Sequence, residues 1–399
     1  MKTNFTCVLI CILLLSFQAK SQTDGNTFDI YGFAMMDAGY NLGQNHPDWF
    51  DVVRPTKLPA FEDEYGSDGN AFFSVRQTRL GFKSHTKTPV GDLNTIFEFE
   101  LFGTGVDAGQ TTFRLRHAYG ELGQFGAGQY WSPFMDIDVF PNSIEYWGPS
   151  GMVFFRNVQL RWMPIKGESF LTFALERPGA SADQGNYADR IELTGIAPKF
   201  ALPDLSAEYR KGGKWGYVEI AGIARSIKWE DQVEDSLDLS GDALGWGVNL
   251  STNLKIGTKD VFRGQVVYGA GIQNYMNDAP EDVGIENHPE STTRPVEGVA
   301  LPILGIVAFI DHNWSDKFST SLGYSMTQIT NSDGQADAAF HAGSYGLVNL
   351  LYYPVNNVMA GVELQYGGRE NFNDGWSYNA MRVQFSFRYK FSQVFAQNN

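Results

Sequence analysis

One stretch near the C-terminus restricts the fold more than anything else in the chain. In Met381 to Phe391, Val383, Phe385, Phe387, Tyr389 and Phe391 share one face, while Arg382, Gln384, Ser386, Arg388 and Lys390 share the other. A period of two is that of a β-strand whose faces meet different surroundings. A strand of about ten residues is long enough to cross a bilayer when tilted.

The pattern recurs. In Asp92 to Phe102, Leu93, Thr95, Phe97, Phe99 and Leu101 oppose Asn94, Glu98 and Glu100. In Lys317 to Ile329, Phe318, Leu322, Tyr324 and Met326 oppose Ser319, Ser321, Ser325 and Thr327. In Asn357 to Arg369, Val358, Ala360, Val362, Leu364 and Tyr366 oppose Glu363, Gln365 and Arg369. Short turns are read at Lys211 to Lys214, Ile256 to Lys259, Ser315-Asp316 and Pro354 to Asn356; long polar segments are read at 41–69, 132–151, 177–202, 230–242, 276–299 and 330–339. Long and short connections in alternation distinguish a transmembrane barrel from a sandwich, and the number of strands is about sixteen, an even number. Segment 189–203 reads either as a strand or as part of a loop. In Ala71 to Lys83, Leu80 and Phe82 share parity with Arg76, a conflict that a β-bulge would resolve. Hydrocarbon offers no partner for a backbone N–H or C=O, so such strands can span only as a closed wall. The predicted fold is therefore all-β, an antiparallel transmembrane barrel of about sixteen strands, wide enough to keep an aqueous lumen.

The first residues agree with export. Met1-Lys2-Thr3-Asn4-Phe5 precedes an apolar run from Thr6 to Phe17, and Ala19-Lys20-Ser21 provides small residues around a cut before Gln22. This is the layout of a signal peptide over 1–21, too short to span a membrane. Residues 22–399 would then form the barrel, in the outer membrane of a Gram-negative-type bacterium and in contact with its lipid. Both cysteines, Cys7 and Cys11, lie in the leader; Ile10 and the continuing apolar run argue against a lipobox. The mature chain thus offers neither a disulfide nor a thiolate metal site, and no cofactor is expected. The charge of −15 becomes −17 once Lys2 and Lys20 leave with the leader, which argues against nucleic acid as a partner. Aromatics at 14% and 43 glycines suit a barrel in which only alternate residues meet lipid. The final aromatics are similar to the assembly signal of outer-membrane barrels.

If the apolar faces meet lipid, the opposite faces meet the lumen. That inward set holds Glu98, Glu100, Arg114, Arg116, Arg161, Arg225, Arg263, Glu363, Arg369, Arg382 and Arg388. Arginine is prominent although the protein is acidic, because the acid concentrates in runs such as 62–64 and 230–235; these read as solvated surface, or as contacts to cations or lipopolysaccharide. Segment 128–149 is too aromatic for an ordinary solvated loop. Folded inward from 132 to 151, it would set Asp136, Asp138 and Glu145 opposite the arginines of strands two to six, and such charged constrictions select ions. Packing outside against a neighbouring subunit is the alternative.

The chain resembles the DcaP-like outer-membrane porins. The segments that carry the resemblance are Phe28 to Phe33, Ser74 to Phe82, Leu115 to Glu121, Gly126 to Ser132, Pro203 to Leu205 and Gly222 to Arg225. The resemblance implies a homotrimer with an inward third loop, an arginine-lined constriction, and passage of small anions, dicarboxylates among them. It implies Arg76, Arg79, Arg114, Arg116 and Arg225 as wall positions, with Asp136 and Asp138 on the constriction loop. An acidic loop beside arginines could equally hold zwitterions or tune a general pore.

Enzyme motifs are absent. The six histidines have no HExxH spacing, and no serine sits in a GxSxG elbow. Gly103-Thr104-Gly105 has no helix after it and reads as a turn. Ser319 and Ser321, near His312 and His341 in sequence, would have to face lipid to serve a barrel lipase, and parity turns them inward. Three functions are therefore weighed: a porin for small polar or anionic solutes, a surface-attachment scaffold built on loops 41–69 and 276–299, and a lipid-modifying enzyme.

Overall fold

The computed structural model describes residues 25–233 and 236–397, so the expected leader at 1–21 lies outside the described residues. Its strands are β1 (Asn26–Asn41), β2 (Asn70–Ser74), β3 (Arg79–Thr88), β4 (Gly91–Phe102), β5 (Thr111–Leu122), β6 (Phe125–Trp131), β7 (Arg156–Ile165), β8 (Phe170–Glu176), β9 (Ile196–Pro198), β10 (Asp204–Gly213), β11 (Gly216–Asp231), β12 (Gly241–Ile256), β13 (Asp260–Ala270), β14 (Val283–Asn287), β15 (Val296–Ala300), β16 (Pro302–Ser315), β17 (Phe318–Ile329), β18 (Phe340–Tyr352), β19 (Val358–Asn371) and β20 (Ser377–Gln397). β14 and β15 form a separate hairpin, and β9 only touches the end of β11. β2 and β3 are two halves of one strand against β1. That leaves sixteen antiparallel strands in one sheet, which β1 closes on β20 from Asn26↔Gln397 to Asn41↔Arg382. No helix among the described residues is long and apolar enough to cross a membrane; the strands do the crossing.

The alternation holds in three dimensions. On β20, Phe385, Phe387 and Tyr389 are 51%, 44% and 56% exposed, whereas Gln384 and Ser386 are fully buried. The serines Ser319, Ser321 and Ser325 of β17 are likewise buried inside, with Phe318, Leu322 and Tyr324 outside. The parity conflict between Ala71 and Lys83 is resolved by one extra residue: β1 advances four positions from Phe33 to Asp37 while its partner advances five, from Ser74 to Arg79. Segment 189–203 belongs to a loop, with a 3-10 turn at Ile191–Leu193 and then β9.

The apolar core lies within the barrel. Phe134, Met135, Val139, Met152 and Val153, all from the connection between β6 and β7, pack against Val267, Val307, Phe309 and Tyr345 on the inner wall. Loop and wall backbones touch here. A Cβ on Gly151 would fall 2.0 Å from the Met326 carbonyl oxygen, and one on Gly305 would fall 2.3 Å from the Gly151 oxygen. Only glycine allows that approach.

Candidate functional site

Six charged side chains from the wall converge on one patch. Arg79 lies on β3, Glu98 and Glu100 on β4, Arg114 and Arg116 on β5, and Arg156 at the start of β7. On β5 the register shifts between His117↔Glu98 and Leu115↔Phe99, so Arg116 and His117 both turn inward; bulges commonly re-aim side chains in this way. Arg116 clamps both carboxylates, with Nε 2.6 Å from Glu98 and Nη1 2.5 Å from Glu100. Arg79 lies 3.7 Å from Glu98 and 3.4 Å from Glu100, and Arg114 and Arg156 lie 3.6 and 3.7 Å from Glu100. Tyr31 donates to Glu98 at 2.8 Å, and Tyr146 donates to Glu100. Four guanidinium groups thus surround two carboxylates, leaving an excess of two positive charges.

The third loop faces this patch across the lumen. After β6 it runs along the wall of β10 to β13, where Asp136 accepts from Arg210 at 2.7 Å, Tyr217 at 2.6 Å and Ser251 at 2.6 Å. It continues past β16 to β20. Asn142 bonds Asp311 and Ser319, and the Ile144 N–H donates to Glu363 at 3.1 Å. It then returns through Tyr146, which stacks on Phe102 at 3.8 Å. Between loop and wall remains a cavity of about 500 Å³. The wall presents Tyr31, Phe33, Arg79, Lys83, Arg116 and Arg388 to it, and the loop presents Ile137, Phe140, Pro141 and Tyr146. Arg388 Nε has no hydrogen-bond partner, and among the described residues no carboxylate pairs with this guanidinium.

The expected residues therefore separate into two groups. Arg79, Glu98, Glu100, Arg114, Arg116 and Arg388 gather at the aperture. The others hold loops. Arg76, 1% exposed, pairs with Asp51 at 2.8 Å beneath the first loop rather than standing as a free wall cation. Arg225, 2% exposed, is closed between Asp204 at 3.0 Å and Asp282 at 2.9 Å. Arg263 pairs with Asp311 at 2.6 Å and donates to the Asp138 carbonyl. Arg161 donates to Gln159 and the Trp131 carbonyl beneath Tyr119 and Tyr130. Glu363 accepts four hydrogen bonds, from Ser143, Ile144, Asn349 and Gln365.

The loop acids do not oppose the arginines of strands two to six. Asp136 and Asp138 bind Arg210 on the far wall, at 2.7 and 2.6 Å: the Asp136 carboxylate is buried and needs several donors, which that wall supplies, and the half-exposed Asp138 shares its guanidinium. Three contributing residues had not been singled out: Arg210, Arg156 and Lys83. The inward parity of Asp204, Ser206, Glu208 and Arg210 would have found the first.

Glu145 points back into the loop and accepts from the N–H groups of Val53, at 3.1 Å, and Gly148. Burial pushes its carboxyl up to about 7, opposed by nearby Arg382 and by both N–H donors. A carboxyl raised in the folded state contributes stability that is full below about 4.5, declines as pH rises, and is lost above about 7. The temperature at which the folded band disappears on electrophoresis should therefore fall between pH 5 and pH 8, and Glu145→Gln should flatten that slope; an equal slope in the variant would assign it to other groups.

A sixteen-stranded barrel with a loop folded into an aqueous lumen defines a class, the channels of the outer membrane. The chain belongs to the DcaP outer membrane protein family, whose model matches residues 19–391, and its location is the outer membrane. No curated protein sequence matches. Among solved structures it is similar to the outer membrane channel DcaP of Acinetobacter baumannii, at 21% identity over 94% of this chain and 100% of that one, with a TM-score of 0.77. It is also similar to an anion-selective porin from Comamonas acidovorans, at 9% identity over 92% and 100%, TM-score 0.59. OmpT, an outer membrane protein of Vibrio cholerae, matches at 12% identity over 93% and 99%, TM-score 0.54. At these identities the likeness is one of fold.

Proposed function

We propose that this protein is a passive porin selecting small anions, dicarboxylates among them, at the aperture between the third loop and the wall of β1, β3, β4, β5, β7 and β20. One observation carries this reading: the arginine patch exceeds its carboxylates by two charges, Lys83 and Arg388 add to it, Asp136 and Asp138 of the loop bind the far wall, and Glu145, the loop acid that borders the cavity, is buried on the N–H groups of Val53 and Gly148. Low-dielectric walls focus the field of such groups on a passing ion. Arginine suits the task because it stays charged and offers paired donors to a carboxylate. The Comamonas acidovorans relative, described as anion-selective, is in keeping with it.

We further propose assembly as a trimer, a form in which OmpT of Vibrio cholerae has been described, after removal of residues 1–21. Catalysis on lipid does not fit, since Ser319 and Ser321 are buried inside the wall. A general, unselective pore and a surface-attachment scaffold are the competing readings. Purified protein in a planar bilayer under a tenfold KCl gradient should give a reversal potential of anionic sign, and millimolar dicarboxylate should block the chloride current. Cationic sign would refute the anion filter; absence of conductance would favour the scaffold.

A further inference from the structure

The first loop, 42–69, also turns into the barrel. Val52 and Leu58 are 1% and 2% exposed, as deeply enclosed as the third loop. The segment is tied on every side. Asp51 accepts from Arg76 and Ser74, and its carbonyl from Arg382 at 2.7 Å. The Thr56 carbonyl accepts from Arg369 at 3.2 Å, and the Pro59 carbonyl from Trp376 at 2.9 Å. Arg54 lies between the rings of Trp49 and Trp147, at 4.2 and 4.0 Å, and pairs with Asp278 at 2.9 Å. Thr56 Oγ1 reaches the same carboxylate at 2.6 Å.

Beneath this segment lie polar wall groups that an open lumen would hydrate. Ser74 and Arg369 are buried against it, and Arg76 and Arg382 are each 1% exposed, with Arg76 Nε and Arg382 Nε and Nη1 unpartnered. Buried arginine N–H groups without partners are costly. The cost arises because the loop excludes water from a surface that an open lumen would hydrate.

We infer that the first loop is an internal plug that closes the β18 to β20 side of the lumen and so confines solutes to the arginine-lined path. It acts by exclusion: the wall groups it covers, Arg76, Arg369 and Arg382, are tied to its own carboxylate and carbonyls and kept out of the ion path. The selectivity arm of the test rests on the anion reading; the conductance and labelling arms do not.

Asn41 and Asn70 are direct cross-strand partners, so deleting 44–68 leaves Leu42-Gly43-Gly69 as a three-residue hairpin turn that does not stretch the wall. Opening a comparable share of the cross-section should raise single-channel conductance about twofold, since conduction follows the open lumen, and the reversal potential should keep its anionic sign, because the bared wall carries Arg76, Arg369 and Arg382. A lone cysteine at Ser74→Cys, buried against Asp51 of the loop, should resist an aqueous maleimide in the full chain and react in the deletion. Unchanged conductance, or equal labelling with and without the loop, overturns the plug. If the deletion does not assemble, Asp278→Ala decides: loosening Arg54 and Thr56 should produce upward current excursions absent from the unmodified channel, and a record as quiet as the parent's overturns the proposal. A wild-type channel of cationic sign would refute the anion filter while leaving these arms intact.

Discussion

Replacing Arg79 and Arg116 together by glutamine should bring the reversal potential under a KCl gradient close to zero. The patch holds four arginines and two glutamates within ion-pair distance, so the double substitution takes its net charge from plus two to zero. One unit charge about 5 Å from a passing ion in water is worth about 0.8 kcal/mol, roughly a fourfold change in local concentration. Two should lower the local anion concentration by about an order of magnitude and raise that of cations equally, so the unscreened anion-to-cation ratio shifts by about two orders. The effect should be larger in dilute salt than near 1 M, where the screening length falls to about 3 Å. Arg388→Gln is the cleaner companion, because no carboxylate loses a partner with it. Arg225→Gln serves as the control: that guanidinium is closed between Asp204 and Asp282, so the barrel should lose stability while selectivity persists. A double variant with the parent's reversal potential would place the filter elsewhere.

The barrel was legible because its physics is written residue by residue. Oil on one side and water on the other impose a period of two, and Met381 to Phe391 displays it without interruption. The inward loop was legible for a related reason, since Trp131, Phe134, Ile137, Val139 and Phe140 are too apolar for solvent. A second signal went unused. β16 is apolar on both faces, with Ile303, Val307 and Phe309 buried inside while Ile310 faces out, and such a strand announces that something apolar packs against the lumen side. What parity cannot give is the partner of a charge. Arg76, Arg225, Arg79 and Arg116 all turn inward, yet the first two are sealed under loops by Asp51 and Asp282. Those acids lie 25 and 57 residues away in sequence, and only the folded course of the loops brings them into place.

The same distinction between filter and anchor governs Asp136. Its carboxylate is wholly buried and accepts from Arg210, Tyr217 and Ser251, and among the described residues no other side chain fixes the third loop to the far wall through three partners. Asp136→Ala leaves the guanidinium with Asp138 and Glu219 and leaves Tyr217 and Ser251 without their acceptor. Removing one member of a buried ion pair costs about 3–5 kcal/mol; the remaining acids place this case at the lower end. The loop should then move within the lumen, giving an unsteady open-channel current and a lower unfolding temperature. Asp136→Asn, which keeps one acceptor oxygen, should be milder. Anion preference should survive both changes, because the arginine patch lies on the opposite wall and loses nothing. A steady current with selectivity abolished would mean that the loop acids belong to the filter after all, and the separation of anchoring from selecting residues would have to be redrawn.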